Sequence, residues 1–134
     1  MKIFKLVKSV EIYPLNGSDK ANWIDVDRVK FPNVEWTGIF IKQHGSLTIK
    51  DKMDSKTRVF TAELQIYTHE AINLNVPYLW RIGLVDGTYR LIGDGNRPYP
   101  VATLTETAPE LATDNQLNII NVTYSSDKTI PYIM

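Results

Sequence analysis

Between Thr57 and Thr68 the chain alternates, with Phe60, Ala62, Leu64 and Ile66 on one parity and Val59, Thr61, Glu63, Gln65 and Tyr67 on the other. A period of two sends alternate side chains to opposite faces of a pleated strand, so this segment is predicted to cover a core with one face and meet solvent with the other. The same habit recurs in Ile3–Tyr13, Trp23–Val29, Val34–Lys42, Ser46–Lys50, Tyr78–Val85, Thr88–Ile92, Val101–Thr105 and Leu117–Ser125. The first of these runs also fits a helical face through Ile3, Leu6, Val7 and Val10, so periodicity leaves it open. No segment carries a long amphipathic helix and no repeat is present; a single helical turn at Pro109–Ala112 is the most the remainder allows.

Turn-forming residues separate the runs: Pro14–Asp19, Phe31-Pro32-Asn33, Gly93-Asp94-Gly95-Asn96, Pro98-Tyr99-Pro100 and Thr107–Gln116. Asp86-Gly87 falls between two strand-like runs and predicts a hairpin, with a type I′ turn requiring positive φ at both central residues. His44-Gly45 is predicted to be the tip of a second hairpin, joining Val34–Lys42 to Ser46–Lys50. Trp80 shares parity with Tyr78, Ile82 and Leu84 and is expected to anchor the core. Short strands with frequent turns predict an all-β fold, a single domain over residues 1–134 built as a β-sandwich or small barrel of about seven to eight antiparallel strands.

Composition bounds the function. At 134 residues, with 43% hydrophobic and 22% charged residues, the chain suits one globular domain rather than a disordered segment. Fifteen basic residues balance fifteen acidic ones, which argues against coating nucleic acid. The balance is uneven along the chain: residues 1–60 carry eleven Lys/Arg against seven Asp/Glu, a net +4, and residues 61–134 carry four against eight, a net −4. If the folded surface keeps that polarity, copies would attract head to tail. The absence of cysteine excludes disulfides, thiolate zinc sites and a cysteine nucleophile. Lys2, Lys5 and Lys8 break up the first apolar residues, and no run approaches the roughly 18 apolar residues of a membrane span, so synthesis and folding in the cytoplasm are expected.

No chemical constellation completes itself. His69-Glu70-Ala71-Ile72-Asn73 starts as a zinc-protease motif, but Asn73 stands where the second imidazole is needed. His44-Gly45-Ser46 lacks the nucleophile elbow that activates a serine. Asp25 with Asp27, Asp51 with Asp54, and Gly93–Asn96 lack the spacing of a calcium loop. Neither a phosphate-binding loop nor a dinucleotide fingerprint is present. The reading is a protein that is not an enzyme, with no catalytic residues, no metal and no cofactor. Asp86, Gly87, Gly93 and Gly95 are singled out as turn-defining residues. The alternative function is a small ligand-binding module, such as a carbohydrate-binding domain, with Trp23, Trp36 and Tyr99 as its stacking platform.

The stretch Trp80-Arg-Ile-Gly-Leu-Val-Asp-Gly-Thr-Tyr-Arg-Leu-Ile-Gly93, followed by Pro98, Pro100 and a last strand at Leu117–Tyr124, resembles small structural proteins of the tail and neck modules of tailed phages and prophages of gut anaerobes. The opening Ser9–Gly17 is similar in character, and the resemblance spans about half the chain. It implies a virion component that oligomerises around the tail or neck axis, as a ring or stack, and has no active site. Its partners would be copies of itself and other virion proteins, with no direct nucleic-acid or membrane contact. Thr129–Met134, Pro14–Ala21 and Asp51–Lys56 are the segments expected to face a partner.

Overall fold

The computed structural model describes residues 2–15, 20–31, 34–41, 44–54, 56–68, 72–95, 99–107 and 117–133. His69, Glu70 and the Pro109–Ala112 turn lie outside them. All regular structure among the described residues is strand: β1 Lys2–Pro14, β2 Asn22–Asp25, β3 Arg28–Lys30, β4 Thr37–Ile39, β5 Gly45–Asp54, β6 Thr57–Thr68, β7 Tyr78–Leu84, β8 Tyr89–Ile92, β9 Val101–Thr107, β10 Leu117–Ser126 and β11 Tyr132–Ile133. The protein is all-β, and the ambiguous N-terminal run is a strand. Hydrogen bonds join the strands into one sheet in the order β2-β3-β11-β8-β7-β1-β5-β6-β10-β9, with β4 also on β1. Every pairing is antiparallel except β11 on β3, which is parallel.

The long first strand organises this sheet. Lys2–Val7 pairs with β5 on one edge, and Val7–Pro14 pairs with β7 on the other. A register shift between Val7 and Ser9 marks the crossover, and such a bulge increases local twist and bends the sheet. The two arms therefore fold over one another as in a sandwich. Tyr78 and Trp80 of β7 line one cavity of about 210 Å³ with Val101 and Ala102 of β9, although β7 and β9 lie five steps apart in the strand order.

The main core between the arms takes Val7, Val10 and Ile12 from β1, Leu47 and Ile49 from β5, Ala62, Leu64 and Ile66 from β6, and Trp80, Ile82 and Leu84 from β7. Trp80 is fully buried, as its parity predicts. A second, smaller core of Ala21, Val29, Phe31, Leu79 and Leu91 lies on the opposite face of β7 and β8. That explains why Leu79 and Trp80 are both buried despite opposite parity: a strand covered on both faces reads as an unbroken apolar run.

Two local expectations change. The segments around His44 do not form a hairpin, because β4 and β5 lie end to end along the same edge of β1. Ile39 pairs with Val10 and Gly45 with Val7, so His44 directly precedes the second of two pieces laid along one edge. The edge of a thirteen-residue strand accepts both pieces, which removes the need for the chain to reverse. The buried Thr68 hydroxyl donates to the Phe40 carbonyl at 2.7 Å and satisfies that backbone group just after β4. The Asp86-Gly87 hairpin does form, with Gly83 opposite Tyr89, but its turn is not type I′. Gly87 has φ +91°, whereas Asp86 is not among the positive-φ residues. Gly87 N–H donates to Leu84 O at 3.0 Å and Leu84 N–H to Thr88 O at 2.8 Å, a three-residue loop closed by a left-handed glycine. Asp86 holds the loop by accepting from Thr88 N–H at 3.0 Å and Thr88 Oγ1–H at 2.6 Å, a local bonding pattern typical of aspartate in turns.

Candidate functional site

The turn-defining residues occupy one end of the β7–β8 hairpin and its exit. Gly93 and Gly95 have φ of +92° and flank Asp94, whose carbonyl accepts from Ala21 N–H at 2.8 Å. A Cβ at Gly93 would stand 2.8 Å from Leu79 Cδ2 and 3.0 Å from Pro100 Cγ. Glycine is thus needed there both for conformation and for room. Asp94 also faces Tyr124 of β10; burial first, and the Asp94 charge second, push the Tyr124 phenol above its ordinary value.

The three proposed platform aromatics are not presented together. Trp36 is half-buried against Tyr13, at 5.9 Å between ring centroids, and Phe31, at 5.6 Å, and the Arg81 guanidinium stands 4.9 Å from its ring centre. Arg81 in turn grips Glu11 with two hydrogen bonds of 2.9 and 2.6 Å. Trp23 packs on the same small core from β2, and Tyr99 lies on the approach to β9. Trp23 does line an open groove of about 670 Å³ with Ile24, Val26, Phe60 and Lys128, but neither Trp36 nor Tyr99 reaches it. The Lys128 ammonium stands 5.1 Å from the Trp23 ring centre. Asp25, at the same groove, accepts from Val26 N–H and from Arg28, which together hold its carboxyl below the ordinary value.

The segments expected to face a partner are more deeply built in than their composition implies. Ile130 and Pro131 are buried, and β11 is wedged between β3 and β8 with Tyr132 N–H donating to Asp27 O at 2.7 Å. Met134 lies outside the described residues. Asp51–Asp54 continues β5 in full pairing with β6, and Ser55 lies outside the described residues. Pro14–Ala21 is tied at both ends, by Leu15 N–H to Pro77 O and Ala21 N–H to Asp94 O, while 16–19 lie outside the described residues. In each case burial of apolar residues, or strand pairing, takes backbone that composition alone reads as loop.

A residue that pattern reading passed over fastens the C-terminal strand. Arg90 is 7% exposed, donates to Ile130 O at 2.9 Å and to the Tyr132 hydroxyl at 2.7 Å, and lies 4.1 Å from the Tyr132 ring centre. It stands opposite Ile82 on the inward face, and that parity is the one sequence signal that could have flagged it. Among the described residues no three His, Asp or Glu side chains gather as a metal site, and no helix is long and apolar enough to cross a membrane. No family model, no curated protein and no solved structure matches the chain.

Proposed function

We propose that the protein is a non-enzymatic structural subunit that works by associating with copies of itself, made in the cytoplasm and built into a phage or prophage virion at the tail or neck. The resemblance around Trp80–Gly93 supplies the virion context. The observation that carries self-association is the placement of exposed apolar side chains at three separate stations. Phe4 and Leu6 on β1 adjoin Val85 of the hairpin, and these are 60%, 47% and 47% exposed. Ile24 and Val26 stand out at the β2–β3 tip, and Val101 and Leu104 on the two faces of β9. Single exposed hydrophobics are ordinary, but pairs of them at the first two stations, with a third station on the sheet-end strand, suit a subunit with more than one neighbour. Light scattering across a concentration series tests this: mass should rise above 15.3 kDa in discrete steps, and a monomer at every concentration refutes it.

The second reading, a small ligand-binding module such as a carbohydrate-binding domain, draws on the groove beside Trp23. Titration with glycans should then quench tryptophan fluorescence, and a Trp23→Phe variant should lose that response. No quenching by any glycan removes this reading.

A further inference from the structure

We infer that the outer edge of β9 is a self-association surface, and that it receives the β9 edge of a second copy in antiparallel, two-fold fashion, merging two sheets into one. The inference rests on the self-association reading above and adds the strand, the partner and the orientation.

The two ends of the sheet differ in kind. β2 is four residues long, its pairing with β3 shifts register between Trp23 and Asp25, and Asp25 is locked to Arg28 at 3.0 Å. Shortness, a bulge and charge are the devices that keep a strand edge from recruiting another chain. β4, on the edge of β1, is three residues long. β9 is neither short nor bulged, and Glu106 is its only charge. It runs seven residues without lysine or proline, and its pairing with β10 is unbroken from Val101↔Thr123 to Thr107↔Leu117. No backbone hydrogen bond joins its other edge to any described residue. Val101 is 62% exposed and Leu104 39%, and they lie on opposite faces, since Val101 is paired with exposed Thr123 and Leu104 with buried Ile120. An added strand would cover both and supply the missing ladder of backbone bonds.

Charge selects the partner's direction. Glu106 is the only ionisable residue in β9. Parallel, in-register stacking of copies would set Glu106 beside Glu106, and directly opposed like charges are destabilising. A two-fold axis at Thr103 instead places Glu106 opposite Pro100, and an axis at Leu104 places it opposite Ala102. Both arrangements bring β9 onto itself with neutral neighbours, and both close at two copies.

The chain contains no cysteine, so a single-cysteine scan reads the contact without background. Val101→Cys, Ala102→Cys, Thr103→Cys and Leu104→Cys in the full-length chain should oxidise to covalent dimers with a maximum at Thr103→Cys or Leu104→Cys. Only the residue on the axis meets its own copy within disulfide reach. Thr123→Cys, on β10, should stay uncrosslinked. Thr103→Lys, at an exposed edge position, should lower the mass of the dimer by about half in light scattering while circular dichroism stays unchanged. Equal crosslinking at all four positions indicates parallel stacking and overturns the antiparallel arrangement. A wild-type oligomer without β9 crosslinks overturns this inference and leaves self-association standing. A wild-type monomer up to the solubility limit overturns both.

Discussion

Gly87 and Gly93 have nearly the same backbone, φ +91° and +92°, in different surroundings, so an alanine at each separates conformational strain from packing. A left-handed conformation costs a residue with a Cβ about 1–2 kcal/mol, offset by about 0.4–1 kcal/mol of entropy removed from the unfolded chain. At Gly87 nothing lies within 4 Å of the new Cβ, so Gly87→Ala should cost only the difference, about 1 kcal/mol. At Gly93 the Cβ would meet Leu79 Cδ2 at 2.8 Å and Pro100 Cγ at 3.0 Å. Leu79 is fully buried in the small core and the Pro100 ring is rigid and buried, so neither can yield cheaply. Overpacking adds about 1–3 kcal/mol, for a total of about 2–4 kcal/mol. For a chain of this size that corresponds to a Tm loss of about 4 °C for Gly87→Ala and about 10 °C for Gly93→Ala. Urea titration and differential scanning calorimetry measure both. Combining Gly93→Ala with Leu79→Ala should give less than the sum of the single costs, because the second change removes the obstacle. Equal costs for the two glycine variants, or strict additivity with Leu79→Ala, would refute the packing argument.

The Asp86 carboxyl is held below an aspartate's ordinary 3.8, first by the Thr88 hydroxyl and then by the Thr88 N–H. Its stabilising contribution is therefore complete above pH 3.8 and disappears as pH falls through the depressed folded value, so Asp86→Asn should flatten the acid limb of the urea midpoint against pH; an unchanged limb counts against it. Arg90→Lys keeps the charge but cannot both donate to two acceptors in a fixed fork and stack on Tyr132. Hydrogen exchange at Tyr132 N–H and Leu91 N–H, which bond Asp27 O and Pro131 O, should quicken while β6 amides stay protected. Thr68→Val leaves the Phe40 carbonyl without its 2.7 Å donor and should cost about 1–2 kcal/mol in chemical denaturation, and a neutral result would mean that water replaces the hydroxyl there.

What was legible in the sequence depended on near neighbours. The alternation in Thr57–Thr68 reappears as inward Ala62, Leu64 and Ile66, because pleating is set residue by residue. Trp80 was legible for the same reason, and Asp86-Gly87 because a turn is closed by its own atoms. The type of turn was not, since Asp86 prefers to bind Thr88 rather than take positive φ. Of the candidate site residues, Trp23, Trp36 and Tyr99 could be named as aromatics but not placed on a surface. Whether a ring is spent on a neighbour such as Arg81 depends on a strand far away in sequence.

By itself, then, the sequence determined the class of fold, most strand positions and the main hairpin, all of which follow from periods and turns a few residues long. Tertiary structure alone decided which strands meet, because pairing depends on which edges remain free once β1 is placed. It put β4 and β5 on one edge of that strand, drew the C-terminal residues between β3 and β8, and set β9 at an end of the sheet with no described residue bonded to its outer edge. It also decided what becomes of the charge imbalance between the two halves of the chain. Lys5 with Asp86, Lys50 with Glu63 and Arg81 with Glu11 each join one half to the other. These ion pairs between neighbouring segments partly neutralise, across the fold, the polarity along the chain.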